Sequence, residues 1–266
     1  MPALTVDRTT RRLGYSLALV TLTLCLALSG CTPEKPKGWT LLESRPHDPG
    51  AYTQGLVFHD GVFLESTGLY GQSQLRRVDP ATGQVLARTT LAAERFGEGL
   101  ALLGDRLYQL TWKSQVGYIY DLTSLALVDS FAYAGEGWGL TTDGTNLIMS
   151  DGSATLRFLD PATFAVRREV EVRDGRSPLT RLNELEYVNG EVYANVYQST
   201  WIVRIDPDSG QVRQWLDLAS LVPKDKRGST EDVLNGIAHD PATGTLYLTG
   251  KRWPQMHSIR VDSLAR

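Results

Sequence analysis

The most constraining feature of this 266-residue chain is one pattern that occurs five times. In each copy an apolar stretch is followed by a turn with Gly, Asp or Asn and then by a second apolar stretch. The copies start at Gly55, Gly99, Gly139, Glu184 and Gly236, which are 40 to 52 residues apart. Internal repeats with a period in the forties and several strands per unit are typical of β-propellers.

A second motif adds two more strands to most copies. The segments "VDPATGQV" at 78–85, "LDPATFAV" at 159–166 and "IDPDSGQV" at 205–212 are alike, and "YDLTSLAL" at 120–127 is a weaker copy. Each follows a short stretch of alternating apolar and polar residues. Asp-Pro followed by Thr or Ser and Gly favours a turn, so each segment is predicted to be a hairpin between two strands. A complete copy then has four strands, the number in a propeller blade.

The fifth copy has only three strands, so its outermost strand would have an unpaired edge. Folded proteins usually protect such edges because they promote aggregation. One orphan strand, "WTLLESR" at 39–45, precedes the first copy. We expect this strand to pair with the last blade and close the ring. The sequence therefore predicts an all-β protein with one five-bladed β-propeller domain over residues 39–266.

The N-terminal segment has the layout of an export signal. Arg8, Arg11 and Arg12 precede an apolar run that ends in small residues and Cys31. The segment "LSGC" at 28–31 resembles the bacterial lipobox, and this resemblance implies cleavage before Cys31 and a lipid on its sulfur. An uncleaved transmembrane anchor is the alternative, but the run is near the lower length limit for spanning a bilayer.

We therefore expect residues 1–30 to be a lipoprotein signal peptide and residues 31–38 to be the lipidated cysteine and a tether. The protein would be exported and anchored to the cell envelope, with membrane contact through the lipid only. Cys25 is the one other cysteine and lies within the signal, so the mature chain would have neither a disulfide nor a thiol nucleophile. A net charge of −3 without long basic runs does not favour nucleic acid as a partner.

The repeats also predict where a functional site would lie. In a propeller the first strand of each blade lines the central channel, and the loops that lead into these strands surround one mouth. The residues just before the first strands are Gln54, Glu98, Trp138, Asn183 and Asn235. The second strands return to the same mouth and end near Thr67, Trp112, Gly152, Tyr197 and Lys251, with Glu65 and Asn195 close by. Aromatic walls with a few convergent polar groups are typical of small-molecule sites.

Each of these residues also has a purely structural interpretation. Glu98 alone could be a solvated loop acid, and Lys251 a surface lysine. Trp112 and Trp138 could pack between blades, since tryptophan is highly buried on average. The matched positions of the unusual residues in the repeats favour a site over these separate explanations.

Several segments resemble one family over residues 40–262. They include "HDPGAYTQGLVF", "FGEGL", "RLNELEYVNGEVYANV", "DVLNGIA" and "TGKRWP", and they occur in the same order. They are similar to the plant and bacterial glutaminyl-peptide cyclotransferases. The resemblance implies a five-bladed propeller that converts the N-terminal glutamine of a peptide or protein into pyroglutamate and releases ammonia.

The resemblance also implies roles for single residues. Glu98 would be the catalytic acid and base, Asn183 and Lys251 would complete the catalytic set, and Gln54, Trp112 and Trp138 would belong to the site. Tyr197 stands where the plant enzymes carry tryptophan, which makes one aromatic wall smaller and more polar. We assign Gln54, Trp112, Trp138, Tyr197 and Asn235 to substrate binding.

The residue types suit this chemistry. The substrate's α-amine attacks its own γ-carboxamide carbon, so the amine loses a proton and the leaving nitrogen gains one. A single carboxylate, Glu98, can carry out both transfers. Asn183 and Lys251 can stabilise the negative oxygen of the tetrahedral intermediate. These steps require no metal or other cofactor, although a structural divalent cation in the central channel is compatible with the sequence.

Two other functions are open at this point. A metal-dependent propeller lactonase would need several oxygen ligands around a cation, and Gln54, Glu98, Asn183 and Asn235 could supply four. Against it, this set has one carboxylate, and Lys251 adds positive charge. A non-catalytic envelope protein that binds another protein with its propeller face would show no reaction and a shallow site.

Overall fold

The structure is a computed structural model, and it describes residues 38–262. Its five four-stranded sheets are the blades of a propeller. Blade one consists of β2 (Thr53–His59), β3 (Val62–Thr67), β4 (Gln74–Val78) and β5 (Val85–Thr90). Blade two consists of β6 (Gly97–Leu103), β7 (Arg106–Thr111), β8 (Val116–Asp121) and β9 (Leu127–Ala132). Blade three consists of β10 (Leu140–Thr142), β11 (Leu147–Met149), β12 (Thr155–Leu159) and β13 (Val166–Glu171).

Blade four consists of β16 (Leu182–Val188), β17 (Glu191–Val196), β18 (Trp201–Ile205) and β19 (Val212–Asp217). Blade five consists of β20 (Leu234–Asp240), β21 (Thr245–Gly250), β22 (Gln255–Val261) and β1 (Trp39–Pro46). A two-stranded hairpin, β14 (Arg173–Asp174) and β15 (Ser177–Pro178), links blades three and four. Two single-turn 3-10 helices, Ala219–Leu221 and Lys224–Lys226, lie between β19 and β20. Within residues 38–262, no helix has the length and apolar character needed to cross a membrane. The predicted signal peptide and tether, including Cys31, lie outside the described residues.

The N-terminal strand closes the ring, as the sequence predicts. β1 pairs with β22 in an antiparallel register that sets Trp39 opposite Val261 and Pro46 opposite Gln255. The indole of Trp39 is buried and donates a hydrogen bond to the main-chain oxygen of Asp217 at 2.9 Å. β1 therefore completes blade five and also ties it to the last strand of blade four.

The predicted hairpins are confirmed, and one side chain organises each turn. Asp79 Oδ1 accepts hydrogen bonds from the main-chain N–H groups at positions 81 and 82, at 2.9 and 2.8 Å. Asp160 and Asp206 make the same pair of bonds in blades three and four. Each turn also contains a residue with a positive φ. In blade one this is Gly83, with a φ of 72°, and in blade three it is Phe164, with a φ of 59°. The Asp-Pro repeats therefore connect the third and fourth strands of their blades.

Apolar side chains fill the space between neighbouring blades. The five buried clusters correspond to the five blade interfaces. Between blades one and two, for example, Leu64 and Leu75 pack with Leu100 and Leu107, and all four are at most 1% exposed. Full burial of one such side chain contributes about 1.5–3 kcal/mol. The stability of the ring is thus shared among equivalent interfaces.

The residues expected just before the first strands lie slightly differently from the prediction. Gln54, Glu98, Asn183 and Asn235 are the second residues of their strands, and only Trp138 precedes its strand, β10. At these four positions the pairing with the second strand shifts register, which marks a β-bulge. A bulge turns a side chain out of the regular alternation and can direct it to a site. Each of these strands also pairs with the second strand on the N-terminal side of the bulge, so the strands begin earlier than expected.

Glycine follows this position in four of the five blades, and close packing of the first strands explains it. A Cβ on Gly55, Gly99 or Gly139 would overlap the backbone of the next blade. These glycines allow the first strands to approach one another around the channel axis. A Cβ on Gly97, on the other side of Glu98, would likewise overlap the carbonyl oxygen of Thr67. The glycines beside Glu98 are therefore explained by neighbouring strands.

Blade four has Glu184 at the position of these glycines. Its Oε1 accepts a hydrogen bond from Leu56 N at 3.2 Å, and its Oε2 accepts one from Ile237 N at 2.8 Å. Glu186, two residues further along β16, accepts a hydrogen bond from His239 N at 2.8 Å. Burial raises the pKa of Glu184 well above its usual range and that of Glu186 to about 8. These carboxyl groups join β16 to the first strands of blades one and five.

Candidate active site

A cavity of about 240 Å³ opens where the first and second strands meet at one mouth of the ring. Its walls include seven of the residues predicted from the repeats and the family resemblance: Gln54, Glu98, Trp112, Trp138, Asn183, Tyr197 and Lys251. The remaining walls come from Tyr52, Leu69, Phe96 and Glu231. The structure thus brings residues from all five blades together, because equivalent strand positions converge at the channel mouth.

Asn235, the other residue assigned to substrate binding, lies behind the cavity wall. Its Nδ2 donates hydrogen bonds to Gln54 Oε1 at 3.0 Å and to the main-chain oxygen of Thr53 at 2.9 Å. The amide nitrogen of Gln54 then points the other way and donates to Glu98 Oε1 at 3.0 Å. Asn235 is fully buried and orients Gln54, and through it Glu98.

Glu98 has the environment of a proton carrier. Its side chain is buried, and burial raises its pKa well above the usual range for a carboxyl group. The nearby charge of Lys251 acts in the opposite direction, and that of Glu136 adds to the rise. A raised pKa makes a carboxylate a stronger base, which suits it to accept a proton and later return it.

Lys251 follows β21 and is as deeply buried as Glu98. Its Nζ lies over two aromatic rings, 4.7 Å from the centroid of Tyr52 and 5.0 Å from that of Tyr197. Burial lowers the pKa of this amine to about 8, although Glu98 and Glu231 act to raise it. Ring faces stabilise a cation without using its N–H groups. The ammonium donors of Lys251 therefore remain available to an oxygen of a ligand.

Asn183 presents an unpaired amide to the cavity. Its side chain is 3% exposed, and its Oδ1 has no hydrogen-bond partner within residues 38–262. The main-chain oxygen of Asn183 is held separately by the hydroxyl of Ser150 at 2.7 Å. Buried amides are normally satisfied. The Oδ1 of Asn183 is an unpaired acceptor and its Nδ2 makes no hydrogen bond within the described residues, so both atoms of this amide are available to a ligand.

Aromatic rings form the walls around these polar groups. Trp112 and Trp138 both donate their indole N–H to Glu136 Oε2, at 2.7 and 3.0 Å. Phe96 packs against Trp112 with the ring centroids 5.6 Å apart, and Tyr197 packs against Trp138 at 5.4 Å. Both pairs meet edge to face, an arrangement that restricts ring rotation. The two indoles are thus fixed by packing and by hydrogen bonds.

Sequence reasoning missed several of these groups. Tyr52, Phe96 and Glu136 each lie two residues before a predicted position, so the same register, extended by two residues, would have found them. Leu69 and Glu231 come from loops without an equivalent in the other repeats. Glu231 accepts a hydrogen bond from the hydroxyl of Tyr52 at 2.8 Å, and burial raises the pKa of that tyrosine.

The positions expected near the mouth include four that do not line the cavity. Thr67 Oγ1 accepts a hydrogen bond from Gln74 N at 3.1 Å, and Gly152 lies under the ring of Trp138, where a Cβ would overlap it. Asn195 Oδ1 accepts a bond from the main-chain N–H of residue 236 at 3.0 Å. Glu65 does not line the cavity either, because its charge is used in another network.

Glu65 belongs to a buried ion cluster at the junction of blades one and five. Its Oε2 lies 2.5 Å from Arg76 Nη2, and its Oε1 lies 3.0 Å from His47 Nε2. The other ring nitrogen of His47 lies 2.8 Å from the main-chain oxygen of Trp253. Burial acts to raise the pKa of Glu65, but Arg76 and His47 lower it to about 2. Burial acts to lower the pKa of His47, but Glu65 raises it above its usual value.

No group of three or more His, Cys, Asp or Glu side chains in the described part of the chain is arranged to hold a metal ion. The oxygen ligands that a lactonase would need do not converge either. Gln54 Oε1 is turned away from the cavity and accepts the hydrogen bond from Asn235. The arrangement that remains is the carboxyl groups of Glu98 and Glu231, the amine of Lys251 and the unpaired amide of Asn183 between aromatic walls.

A closed five-bladed ring with this cavity at its mouth defines a propeller enzyme whose site is built from the inner ends of its blades. The chain belongs to the glutamine cyclotransferase family, whose sequence profile matches residues 16–261. A glutaminyl-peptide cyclotransferase of Arabidopsis thaliana is 46% identical over 223 residues, which are 81% of this chain and 69% of that protein. The crystal structure of Myxococcus xanthus glutaminyl cyclase superposes with a TM-score of 0.79 at 38% identity and covers 85% of this chain and 97% of its own. The family and the propeller fold predicted from the sequence are thereby confirmed.

Proposed function

We propose that this protein converts the N-terminal glutamine of a peptide or protein into pyroglutamate and releases ammonia. Family membership supports the reaction class. The observation that carries the proposal is the buried carboxyl group of Glu98, held by Gln54 and facing a cavity of about 240 Å³. A cavity of this size has room for one glutamine side chain.

Binding would place the glutamine side chain between Trp112 and Trp138. An unbound glutamine side chain is extended and flexible, so cyclisation requires a folded conformation in which the α-amine approaches the γ-carboxamide carbon. Rigid aromatic walls favour such a conformation and lower the entropic part of the barrier. Glu136 and the neighbouring rings keep these walls in place.

The proton transfers balance with Glu98 as the single carrier. As the amine nitrogen bonds to the carboxamide carbon, Glu98 takes a proton from the amine. The carbonyl oxygen becomes negative, and the N–H groups of Asn183 and Lys251 stabilise it. The carbon–nitrogen bond of the carboxamide then breaks, and Glu98 returns the proton to the leaving nitrogen, which departs as ammonia. Free α-amines have a pKa of about 8, so a carboxyl group with a raised pKa is well matched to them.

The decisive experiment measures ammonia release from a Gln-initiated peptide and from the same peptide with an acetylated N-terminus. The free peptide should react, and the acetylated one should not, because acetylation removes the nucleophile. The same assay with a chelator tests the lactonase alternative, and we expect no loss of activity. Turnover of the acetylated peptide would contradict the proposed chemistry.

We also propose that the protein is exported and anchored to the cell envelope by a lipid on Cys31. The support is the "LSGC" segment after a basic and apolar N-terminal run. Cys31→Ser should leave an unprocessed precursor or release the protein from the membrane fraction. Mass spectrometry of the mature protein that shows an intact, unmodified segment 1–40 would contradict the anchor.

A further inference from the structure

A second cavity of about 300 Å³ adjoins the candidate active site. The two cavities share Tyr52 and Leu69 in their walls. Their chemistry differs, because aromatic rings dominate the first and polar side chains and main-chain groups dominate the second. The proposed reaction changes only the first residue of a peptide, so the residues after it must pass over a wall of the first cavity.

The shared wall has a strained conformation. Leu69 adopts a φ of 83°, which is unfavourable for a residue with a Cβ, and such strain concentrates at ligand sites. Its carbonyl oxygen accepts hydrogen bonds from Gln72 N at 3.0 Å and from Ser73 Oγ at 2.8 Å. The preceding Gly68 leaves no room for a Cβ beside Phe96. The loop between β3 and β4 is therefore built to hold Leu69 between the two cavities.

The charges of the second cavity are paired with one exception. Asp48 lies 2.7 Å from Arg76 Nη1, and Arg76 also contacts the buried Glu65. Arg88 is exposed and lies directly opposite Arg76 in the β4–β5 register, so both side chains are on one face of the blade. Arg88 makes no hydrogen bond or ion pair with another residue in the range 38–262. It is a free cation at the edge of a polar cavity.

We propose that the second cavity is the subsite for the second and third residues of the peptide, and that Arg88 favours a carboxylate there. The carboxylate can be an acidic side chain or the C-terminus of a short peptide. Successive Cα atoms lie about 3.8 Å apart, so these residues fall within one cavity's width of the glutamine. The inference rests on the proposed function and concerns its preference among substrates.

The experiment compares kcat/KM for matched peptides in the wild-type protein and in Arg88→Gln. One pair is Gln-Glu-Ala-amide and Gln-Gln-Ala-amide, which differ in side-chain charge; the other is Gln-Ala and Gln-Ala-amide, which differ at the C-terminus. An exposed ion pair predicts a preference of about two- to fivefold for the carboxylate. This preference should disappear in Arg88→Gln, so that the charged and the neutral member of each pair react with similar kcat/KM.

Arg260→Gln is the matched control, because it removes an equal charge from an exposed position outside both cavities. It should keep the preference. A wild-type protein without preference in either pair, or an Arg88→Gln variant that keeps it, would overturn the subsite. Failure of the wild-type protein to convert the neutral peptides would instead contradict the proposed function, so the two failures are distinguishable.

A separate observation concerns Glu136. One of its oxygens accepts both indole N–H groups, from Trp112 after β7 in blade two and from Trp138 before β10 in blade three. Its other oxygen lies 3.9 Å from Lys113 Nζ, which also lies over the Trp112 ring. A single carboxylate therefore sets the angle between two rings that belong to different blades. We infer that Glu136 is a positioning residue that fixes the width of the cleft for the glutamine side chain.

Two variants separate its geometry from its charge. Glu136→Gln keeps one oxygen that can accept both indole N–H groups, whereas Glu136→Ala keeps none. The Ala variant should raise KM and lower kcat/KM at least about tenfold, because the substrate is held less rigidly. The Gln variant should keep KM within about twofold. It should also shift the acid limb of the kcat–pH profile to lower pH, because Glu136 no longer raises the pKa of Glu98. Equal losses in both variants, or an unchanged KM in Glu136→Ala, would overturn this role.

Discussion

Gln54 donates a hydrogen bond to Glu98 Oε1 at 3.0 Å, and this bond fixes the orientation of the carboxyl group in the cavity. The direction of the Gln54 amide is set from behind by Asn235, which donates to Gln54 Oε1. An amide placed the other way round would present an oxygen to the carboxylate and repel it. The two buried amides therefore act in series on the carboxyl group of Glu98.

Asn235→Ala should accordingly lower kcat/KM by about tenfold, which corresponds to the loss of roughly one buried hydrogen bond. If Asn235 acts through Gln54, its loss should have no further effect once Gln54 is removed. We expect the Gln54→Ala/Asn235→Ala double variant to match Gln54→Ala in rate. Additive losses in the double-mutant cycle would show that Asn235 acts by another route.

Glu98→Gln keeps the size of the side chain but cannot carry a proton. General acid–base catalysis contributes about 100- to 10,000-fold, so kcat should fall by that factor. KM should change little, since Trp112, Trp138 and Asn183 remain. A thermal melt by circular dichroism serves as the folding control. A folded variant with the wild-type kcat would remove Glu98 from the mechanism.

The alkaline limb of the pH profile should report Lys251. Its pKa is lowered to about 8, so its positive charge is lost as the pH rises through that value, and stabilisation of the negative oxygen weakens. We expect kcat to fall above about pH 8. Lys251→Arg stays charged, so its remaining activity should lack this fall. An identical alkaline limb in both proteins would contradict the assignment.

The ion cluster of His47 and Glu65 should make stability depend on pH. His47 has a raised pKa in the folded state, so its contribution is complete below about 6.5 and is lost as the pH rises through the folded value. Glu65 has a pKa lowered to about 2, so its contribution is present above about 4.5 and is lost on acidification. His47→Gln should therefore lower Tm most between about pH 4.5 and 6.5. His59→Gln, at a more exposed site, is the control. A Tm difference that does not vary with pH would contradict the charged state of His47.

Glu184→Gln tests the contacts between first strands. Both oxygens of Glu184 accept main-chain N–H groups, and the NH₂ of glutamine would oppose one of those donors. We expect the free energy of unfolding to fall by about 1–3 kcal/mol. Urea unfolding measures this change, and Glu94→Gln at an exposed site provides the comparison. Equal stability of the two variants would show that the pair of acceptors is not needed.

The repeats made the ring predictable because a four-strand unit cannot bury its faces alone. The Asp-Pro turns and the orphan strand at 39–45 then indicated the blade order and its closure. The site was predictable to the extent that it obeys the same register, which covers Glu98, Asn183 and Lys251. Leu69 and Glu231 were not, because their loops have no counterpart in other blades.

The positions of residues within the repeats could not predict the direction in which each side chain points. Asn235 occupies a position equivalent to Glu98, yet it faces Gln54 and lies behind the cavity wall, since contacts between blades decide its rotamer. Glu65 was expected at the mouth, but Arg76 and His47 hold it in the cluster between blades one and five. Such choices depend on three-dimensional neighbours that lie far apart in sequence.

The direction of β1 determines at which end of the ring a tether would join the propeller. β21 ends beside the cavity at Lys251, so β22 runs from the cavity side to the opposite side and ends at Val261. Trp39 pairs with Val261, so the chain reaches the propeller on the side away from the cavity. An eight-residue tether spans at most about 28 Å. If the lipid is on Cys31, the tether would therefore join the propeller at the end of the ring opposite the cavity, and it would not have to cross the cavity mouth.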